Sequence, residues 1–323
     1  MKSHWKLIAS LAGSLLAASL AVEAQPATQR PLVGFLCNTT KLAAAFGDGL
    51  RELGYIDGRN IFVEYRCVEG RTERGPQLAA ALLKLKPDVL VAASDPLVKV
   101  LIDATHTIPI VMTSSGDPVG NRFVASLARP GGNVTGVSIL SPELAGKRLE
   151  LLKTVAPAIT RVVVLVNPTN PNASNQLSET EAAAQTIGVR LKILRVRSIT
   201  EFDSAFQGIG QTSVTALLVS SDALFMAERP RIAAFALANR LPVMGFAREF
   251  AEDGTLLAYG PSFPDLYRRA ASFVDKILRG AKPADLPVEQ PTKFELIINM
   301  RTAKALRLTI PPSLVRGADQ ILE

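Results

Sequence analysis

The sequence is poor in the side chains that most often carry enzyme chemistry. Among its 323 residues are two cysteines, two histidines and one tryptophan, and aromatic residues make up 6%. Beyond the first 24 residues the one histidine is His106, which has no evident serine or cysteine partner for a catalytic triad. The motifs H-E-x-x-H, C-x-x-C and G-x-x-x-x-G-K-[ST] are missing, as is a G-x-G-x-x-G after a strand. The sequence therefore predicts no enzyme, no metal site and no cofactor.

Clusters of like charge are also missing. Lysine and arginine number 36 against 29 aspartates and glutamates, which gives a net charge of +7. The basic residues are scattered, without a basic run and without interleaved aromatic residues, whereas a nucleic-acid surface requires clustering. We interpret the charge as solvated surface with a mild bias toward acidic ligands, and we predict no nucleic-acid partner.

Long apolar runs are missing except near the N-terminus. A short basic start precedes Leu7 to Val22, and the small residues of Val22-Glu23-Ala24 suit a signal peptidase. The apolar run has about 16 residues, fewer than the roughly 20 that a membrane-spanning helix needs. Residues 1–24 therefore predict a cleaved signal peptide, with a membrane anchor as the alternative. Export would place the chain from Gln25 in the periplasm, where disulfides form.

Apolar runs and helical patterns alternate along the rest of the chain, which is typical of βαβ units around a parallel sheet. The predicted strands are Leu32–Leu36, Ile61–Tyr65, Val89–Ala92, Ile108–Met112, Val134–Ile139, Val162–Val166, Arg190–Val196, Ala216–Val219, Leu241–Met244, Thr255–Ala258 and Phe294–Ile298. The predicted helices are Ala43–Leu53, Pro76–Leu85, Pro96–Thr105, Phe123–Leu127, Ala173–Ile187, Ile199–Gly208, Glu228–Asn239, Phe246–Glu252 and Leu266–Leu278.

The two halves of this pattern repeat one plan. V-A-A-S-D-P-L at 91–97 returns as L-V-S-S-D-A-L at 218–224, and the first strand of each half ends in asparagine. We therefore predict an α/β fold with two doubly wound, Rossmann-like lobes, a hinge and a ligand cleft between them. The alternative is that any two βαβ stretches look alike. The predicted lobes are residues 31–138 with 260–284, and residues 139–259 with 285–323.

Short polar residues stand where the predicted strands end, which is where open α/β sheets bind ligands. Asp95-Pro96, Asp117-Pro118, Ser141-Pro142 and Asn170-Pro171 each place a capping side chain before proline, so helix capping is the alternative interpretation for each. Asp222 lacks the proline and could receive a ligand ammonium. Two lobes, a hinge, export and no catalytic set indicate a protein that closes on its ligand.

The chain resembles the ABC transporter substrate-binding protein family that includes tryptophan and tyrosine uptake proteins. The resemblance covers residues 31–323. The motifs that carry it are G-L-R-E-L-G-Y at 49–55, G-R-N-I at 58–61, E-Y-R at 64–66, G-D-P-V at 116–119, L-A-R-P-G-G-N-V-T-G-V at 127–137, G-K-R-L-E-L-L-K at 146–153, N-P-x-N-P at 167–171, E-F-A-E-D-G at 249–254, Y-G-P at 259–261 and L-P-V-E-Q-P-T-K-F-E-L at 286–296.

The resemblance implies a periplasmic receptor with the type I binding-protein fold, a monomer that delivers a small solute to a membrane permease and ATPase. An amino acid or a small aromatic or aliphatic carboxylate is the expected ligand. A ligand-sensing receptor of the same fold and an enzyme using the same cleft are the alternatives. The positions expected to bind ligand are Asn38, Ser94, Asp95, Ser114, Ser115, Asp117, Asn167, Asn170, Asp222, Phe246 and Tyr259.

The two cysteines depart from the family pattern, which often has a small residue near position 37 and tryptophan near position 67. Cys37 and Cys67 would end two neighbouring strands, about 4.8 Å apart, a separation that a disulfide accepts. We therefore hypothesise a disulfide at the rim of the cleft. The missing tryptophan weighs against an aromatic ligand.

Overall fold

The computed structural model describes residues 30–210 and 216–323, so the predicted signal peptide at 1–24 lies outside the described residues. The strands are β1 (Leu32–Cys37), β2 (Phe62–Cys67), β3 (Val89–Ala92), β4 (Ile110–Ser115), β5 (Val134–Ser138), β6 (Arg161–Val166), β7 (Arg190–Arg195), β8 (Ala216–Val219), β9 (Val243–Gly245), β10 (Leu257–Gly260), β11 (Glu295–Asn299) and β12 (Gln320–Leu322). They form two sheets.

The helices lie between the strands, as the alternating pattern predicts. They are α1 (Thr40–Glu52), α2 (Gly75–Lys84), α3 (Asp95–Ala104), α4 (Ser141–Val155), α5 (Ala173–Ile187), α6 (Phe202–Gly210), α7 (Ala223–Ala227), α8 (Arg229–Ala238), α9 (Arg248–Glu252), α10 (Phe263–Leu278), α11 (Met300–Ala305) and α12 (Pro312–Gly317). No helix within 30–210 or 216–323 is long and apolar enough to cross a membrane.

The first sheet has five parallel strands in the order β2-β1-β3-β4-β5. Its central strand β3 is buried along its whole length, which explains the unbroken apolar run Val-Leu-Val-Ala. Helix α10 comes late in the chain but packs against α1 and β4 of this sheet. The first lobe is therefore built from two separate parts of the sequence.

The second sheet has seven strands in the order β12-β11-β10-β9-β8-β6-β7. Read from β7 to β10, this order repeats that of the first sheet, so the repeated sequence plan corresponds to a repeated topology. The added strand β11 pairs antiparallel with β10. Two lobes of this kind are the α/β architecture that the sequence predicts, and the predicted fold class is confirmed.

The chain crosses between the sheets after β5, after β10 and before β11. Before the last crossing, Glu289 pairs with Val137 at the end of β5, and the Oγ1 of Thr135 donates a hydrogen bond to the carbonyl oxygen of Leu286. Residues 286–289 therefore run beside the first sheet. We keep the two-lobe division as a proposal, with the third crossing placed after Glu289 rather than at 284.

One predicted helix is wrong. Residues 123–127 form a loop, in which the backbone N–H groups of Phe123 and Val124 both donate to the carbonyl oxygen of Pro118. Phe123 and Val124 are buried by tertiary packing, and that burial explains their apolar character without a helix. Helices α4, α7, α11 and α12 and strand β12 were not among the predicted elements.

Candidate functional site

A cavity lies between the lobes at the carboxyl ends of both sheets, with about 450 Å³ of empty space that is partly open to solvent. Seven of the eleven predicted positions line it: Asn38, Ser94, Asp95, Ser114, Asn170, Asp222 and Phe246. Ser115, Asp117, Asn167 and Tyr259 do not line it. The rule that ligands bind beyond strand ends therefore brings most of the predicted residues together.

The first-lobe wall is a chain of hydrogen bonds among the ends of β1, β3 and β4. The Oγ of Ser94 donates to Oδ1 of Asn38 over 3.0 Å, and the Oγ of Ser114 donates to the carbonyl oxygen of Ala93 over 2.8 Å. Each hydroxyl already donates its proton to a hydrogen bond within the first lobe, so it can only accept a hydrogen bond from a ligand. This side of the cavity is ordered and rich in acceptors.

Asp95 begins α3, but its carboxylate does not cap that helix. It accepts hydrogen bonds from the Oγ of Ser115, from the backbone N–H of Gly116 at 2.8 Å and from the side-chain amide of Asn172. Burial raises the pKa of Asp95 to about 6, against the lowering effect of these three hydrogen bonds, and the charge of Asp117 raises it further. The capping interpretation is therefore wrong for Asp95.

Asp222 faces the cavity from the second lobe. Its Oδ2 accepts from Nδ2 of Asn170 at 2.7 Å and its Oδ1 from Nδ2 of Asn167 at 3.2 Å. Oδ1 also accepts from the backbone N–H of Leu224, so Asp222 does cap α7. Burial raises the pKa of this carboxyl, and the asparagine hydrogen bonds lower it. Asn167, which does not line the cavity, therefore acts by holding Asp222.

The cavity carries two acidic groups and no opposing cation. No lysine, arginine or histidine of the described chain is among its lining residues. An ionised carboxylate has about four lone-pair positions. Three are used in Asp95, whereas Asp222 accepts from two asparagines and from the backbone N–H groups of Leu224 and Phe225. Asp95 therefore keeps one acceptor position for a donor that enters the cavity, and a cationic donor would offset the buried charge of both carboxylates.

Two hydroxyls lining the cavity were not among the predicted ligand positions. Ser141 and Ser221 are 1% and 6% exposed, and neither Oγ has a hydrogen-bond partner among the described residues. The backbone N–H of Ser221 donates to Oε1 of Gln176, and Nε2 of Gln176 donates to the carbonyl oxygen of Ser221. These two hydrogen bonds fix the backbone that carries the Ser221 hydroxyl. Buried polar groups are normally paired, so both hydroxyls are candidates to bind a ligand. The sequence signal that could have identified both serines is a polar residue just beyond the end of a strand.

An apolar wall completes the cavity, and Leu42, Ile139, Met226, Phe246, Phe263 and Tyr267 form it. Phe263 and Tyr267 come from α10, so the sequence offered no strand-end signal for them. Burial raises the pKa of Tyr267 to about 12, which keeps its phenol neutral near pH 7. The aromatic ring of Tyr259 packs against Phe294 instead, with the ring centroids 6.2 Å apart.

Cys37 and Cys67 stand opposite each other in the register of β1 and β2, and a disulfide joins them. The bond lies one residue before Asn38, which lines the cavity. It therefore ties the edge strand of the first sheet to the strand that ends in a cavity residue.

Two α/β lobes that meet around a cavity at their strand ends form the type I periplasmic binding-protein fold. The sequence profile described as "ABC transporter substrate binding protein" matches residues 39–322. The chain therefore belongs to the ABC transporter substrate-binding protein family, which is a family of solute-binding proteins.

The chain is also similar to individual family proteins. It is 30% identical over 268 residues to a tyrosine-binding protein of Clostridioides difficile strain R20291, covering 82% of this chain and 76% of the relative. The ABC domain from Streptococcus pneumoniae in complex with L-tryptophan superposes with a TM-score of 0.85 at 27% identity, covering 91% of this chain and all of the other. A conserved domain protein from Vibrio cholerae gives a TM-score of 0.84 at 29% identity, with the same coverage.

Proposed function

We propose that this protein is the periplasmic solute receptor of an ABC importer, that its ligand is an amino acid with an apolar, aromatic side chain, and that it delivers this ligand as a monomer to a permease and ATPase. The observation that carries the proposal is the lining of the cavity: two carboxylates without a cation, facing an apolar wall. The tyrosine-binding relative and the L-tryptophan complex support the ligand class.

The residues divide by chemistry. Asp95 receives the ammonium group, since it keeps one free acceptor position, and the charge of Asp222 attracts the same group from the opposite lobe. Ser141 and Ser221 donate to the carboxylate, because their hydroxyls have no partner among the described residues. The N-terminus of α4, which begins at Ser141, adds a positive dipole end. Phe246 and Tyr267 pack against the side chain. Asn38, Ser94, Ser114 and Asn170 border the ligand. Ser115 holds Asp95 and Asn167 holds Asp222 from outside the cavity, and Asp117 binds Asn175 at the surface.

The charge of the cavity predicts which half of the ligand matters more. Tryptamine keeps the ammonium of tryptophan and lacks its carboxylate, whereas indole-3-propionate keeps the carboxylate and lacks the ammonium. We expect tryptamine to bind about 10- to 100-fold more tightly than indole-3-propionate, because a hydrogen bond to a charged group contributes about 1.5–3 kcal/mol. Isothermal titration calorimetry measures both, with L-tryptophan and L-tyrosine as references. Tighter binding of indole-3-propionate would contradict the assignment of Asp95 and Asp222, and no binding of either amino acid would contradict the proposed ligand class.

The unpartnered hydroxyls of Ser141 and Ser221 give a second test, in which removing them should weaken ligand binding without lowering stability. Ser141→Ala and Ser221→Ala each remove a buried hydroxyl without a partner, so we expect the ligand-free protein to keep its stability or to gain up to about 1 kcal/mol. We expect affinity for L-tryptophan to fall about 10-fold, because a ligand hydrogen bond is lost. Ser114→Ala is the matched control. It removes the hydrogen bond to Ala93, so its stability should fall by about 1 kcal/mol in thermal unfolding. Loss of stability in all three variants would argue against the role of Ser141 and Ser221.

A further inference from the structure

The two lobes touch through the first turn of α5. Asn172 stands at the N-cap position of α5 in the second lobe, yet its side chain makes no capping hydrogen bond to that helix. Its Nδ2 donates to Oδ2 of Asp95, and its Oδ1 accepts from Nδ2 of Asn121 at 2.8 Å. Both polar atoms of the side chain are therefore bound to the first lobe. An N-cap asparagine normally stabilises its own helix by about 1 kcal/mol, and here that capping bond is not made.

We infer that Asn172 is a positioning residue for ligand binding: its side chain is a latch that holds the closed cleft by completing the hydrogen bonds of Asp95. The inference rests on the proposed function, since closure matters because a ligand is captured. Asn172 is 1% exposed, so its hydrogen bonds are made away from water. A hydrogen bond to a carboxylate of this kind is stronger than one between neutral groups.

The side chain of Asn172 packs against the backbone of Gly116 in the first lobe. Its backbone N–H donates to the same Oδ2 of Asp95 that accepts from Asn172. A Cβ at position 116 would lie 2.9 Å from Cγ of Asn172 and would overlap its side-chain amide. Glycine is therefore needed here for the close approach of the other lobe, and an alanine would push Asn172 away from Asp95.

A third cross-lobe hydrogen bond lies at the surface beside the two made by Asn172. Nδ2 of Asn175, in the first turn of α5, donates to Oδ2 of Asp117 over 3.2 Å. Because this pair is exposed, its contribution is smaller than that of the buried pair. Asn175 is therefore a graded control, since it also joins the lobes but outside the cavity.

The test measures closure directly and follows a double-mutant cycle. Spin labels at Lys84→Cys in α2 and Glu181→Cys in α5 report the distance between the lobes, and the native cysteines are paired with each other. The distance distribution is measured for the protein with native residues at 116 and 172, for Gly116→Ala, for Asn172→Ala and for the double variant. Each is measured with and without 1 mM L-tryptophan or L-tyrosine. Gly132→Ala is the matched glycine control, because a Cβ there would meet nothing within 4 Å.

We expect Gly116→Ala and Asn172→Ala each to reduce the closed population and to weaken amino-acid binding about 10- to 100-fold, chiefly through faster dissociation. Asn175→Ala should weaken binding only about 2- to 3-fold, and Gly132→Ala should have no effect. Gly116→Ala should cost little further once Asn172 is alanine, because the two nearest clashing atoms are then gone and only Oδ2 of Asp95, 3.0 Å from the added Cβ, remains close.

Several results would overturn the inference. The first is an equal closed population in the native protein and in all variants. The second is that the effects of Gly116→Ala and Asn172→Ala add up in the double variant. The third is that the native protein never closes, with or without the amino acids. If the closed population follows the variants while neither amino acid binds, the latch stands and the proposed ligand is wrong.

Discussion

Removal of the Cys37–Cys67 disulfide is expected to lower the free energy of unfolding by about 3.6 kcal/mol. The two cysteines are 30 residues apart in sequence, and the chain-entropy estimate for closing a loop of that length gives this value. For a protein of this size the midpoint of thermal unfolding should fall by about 5–10 °C. The double variant Cys37→Ala/Cys67→Ala is the appropriate form, because Cys37 is fully buried and alanine adds no polar group there.

The same variant should also bind ligand more weakly, because the bond lies next to the cavity. Asn38 follows Cys37 directly, and its side chain holds Ser94 and Ala93 of the first-lobe wall. Calorimetric unfolding with and without reductant separates the two states: the reductant should destabilise the wild type and leave the double variant unchanged. Two free thiols on denatured, unreduced wild-type protein, or an equal midpoint for both proteins, would contradict the prediction.

The sequence predicts the fold well because the fold depends on local patterns. Buried parallel strands such as β3 and β6 are unbroken apolar runs, and the helices between them begin and end at proline, glycine or short polar residues. The repeat of the serine-aspartate pair at 94–95 and 221–222 correctly indicates two lobes of one topology. Residues 123–127 fail because their burial comes from distant packing, which an apolar pattern alone does not separate from a helix face.

The site was only partly predictable, because local sequence patterns do not show contacts between distant parts of the chain. Asn38, Ser94, Asp95 and Asp222 lie two or three residues beyond the ends of predicted strands, so the strand-end rule finds them. The aromatic residues of α10 come from a helix that returns to the first lobe, and the sequence does not show that return.

Asn172 was missed for a different reason. An asparagine before a helix is expected to cap it, whereas here its side chain binds the opposite lobe. Contacts between lobes have no local signature in the sequence.

The pH dependence of stability should reveal the buried charge of Asp95. Its pKa in the folded protein is about 6 because burial disfavours the charged form, against about 3.9 in an unfolded chain. The folded state therefore binds more protons between these values, and stability falls as pH rises from about 4 to 6. The difference of roughly two pKa units corresponds to about 3 kcal/mol. This contribution is fully present below pH 4 and is lost above pH 6.

The variant Asp95→Asn isolates this effect, because it keeps an oxygen for Gly116 and Asn172 while it carries no charge. Asp222, whose pKa is also raised, is present in both proteins and cancels in the comparison. We expect the free energy of unfolding of the wild type, relative to Asp95→Asn, to fall by about 3 kcal/mol between pH 3.5 and pH 7. Denaturant unfolding at a series of pH values measures it, and parallel curves for the two proteins would contradict it.

An ammonium ligand should largely remove the fall in stability with rising pH. This effect would connect the buried charge of the cavity to ligand binding. A cation beside Asp95 favours the carboxylate form and brings its pKa back down. Saturating L-tryptophan or tryptamine should therefore remove most of the fall in wild-type stability between pH 4 and 6, whereas indole-3-propionate should not. In Asp95→Asn the stabilisation by amine ligands should depend less on pH over the same range, because only the carboxyl of Asp222 remains to titrate beside the ammonium. If indole-3-propionate and tryptamine changed the pH profile equally, the ammonium would not lie at Asp95, and the carboxylate would need another partner in the cavity.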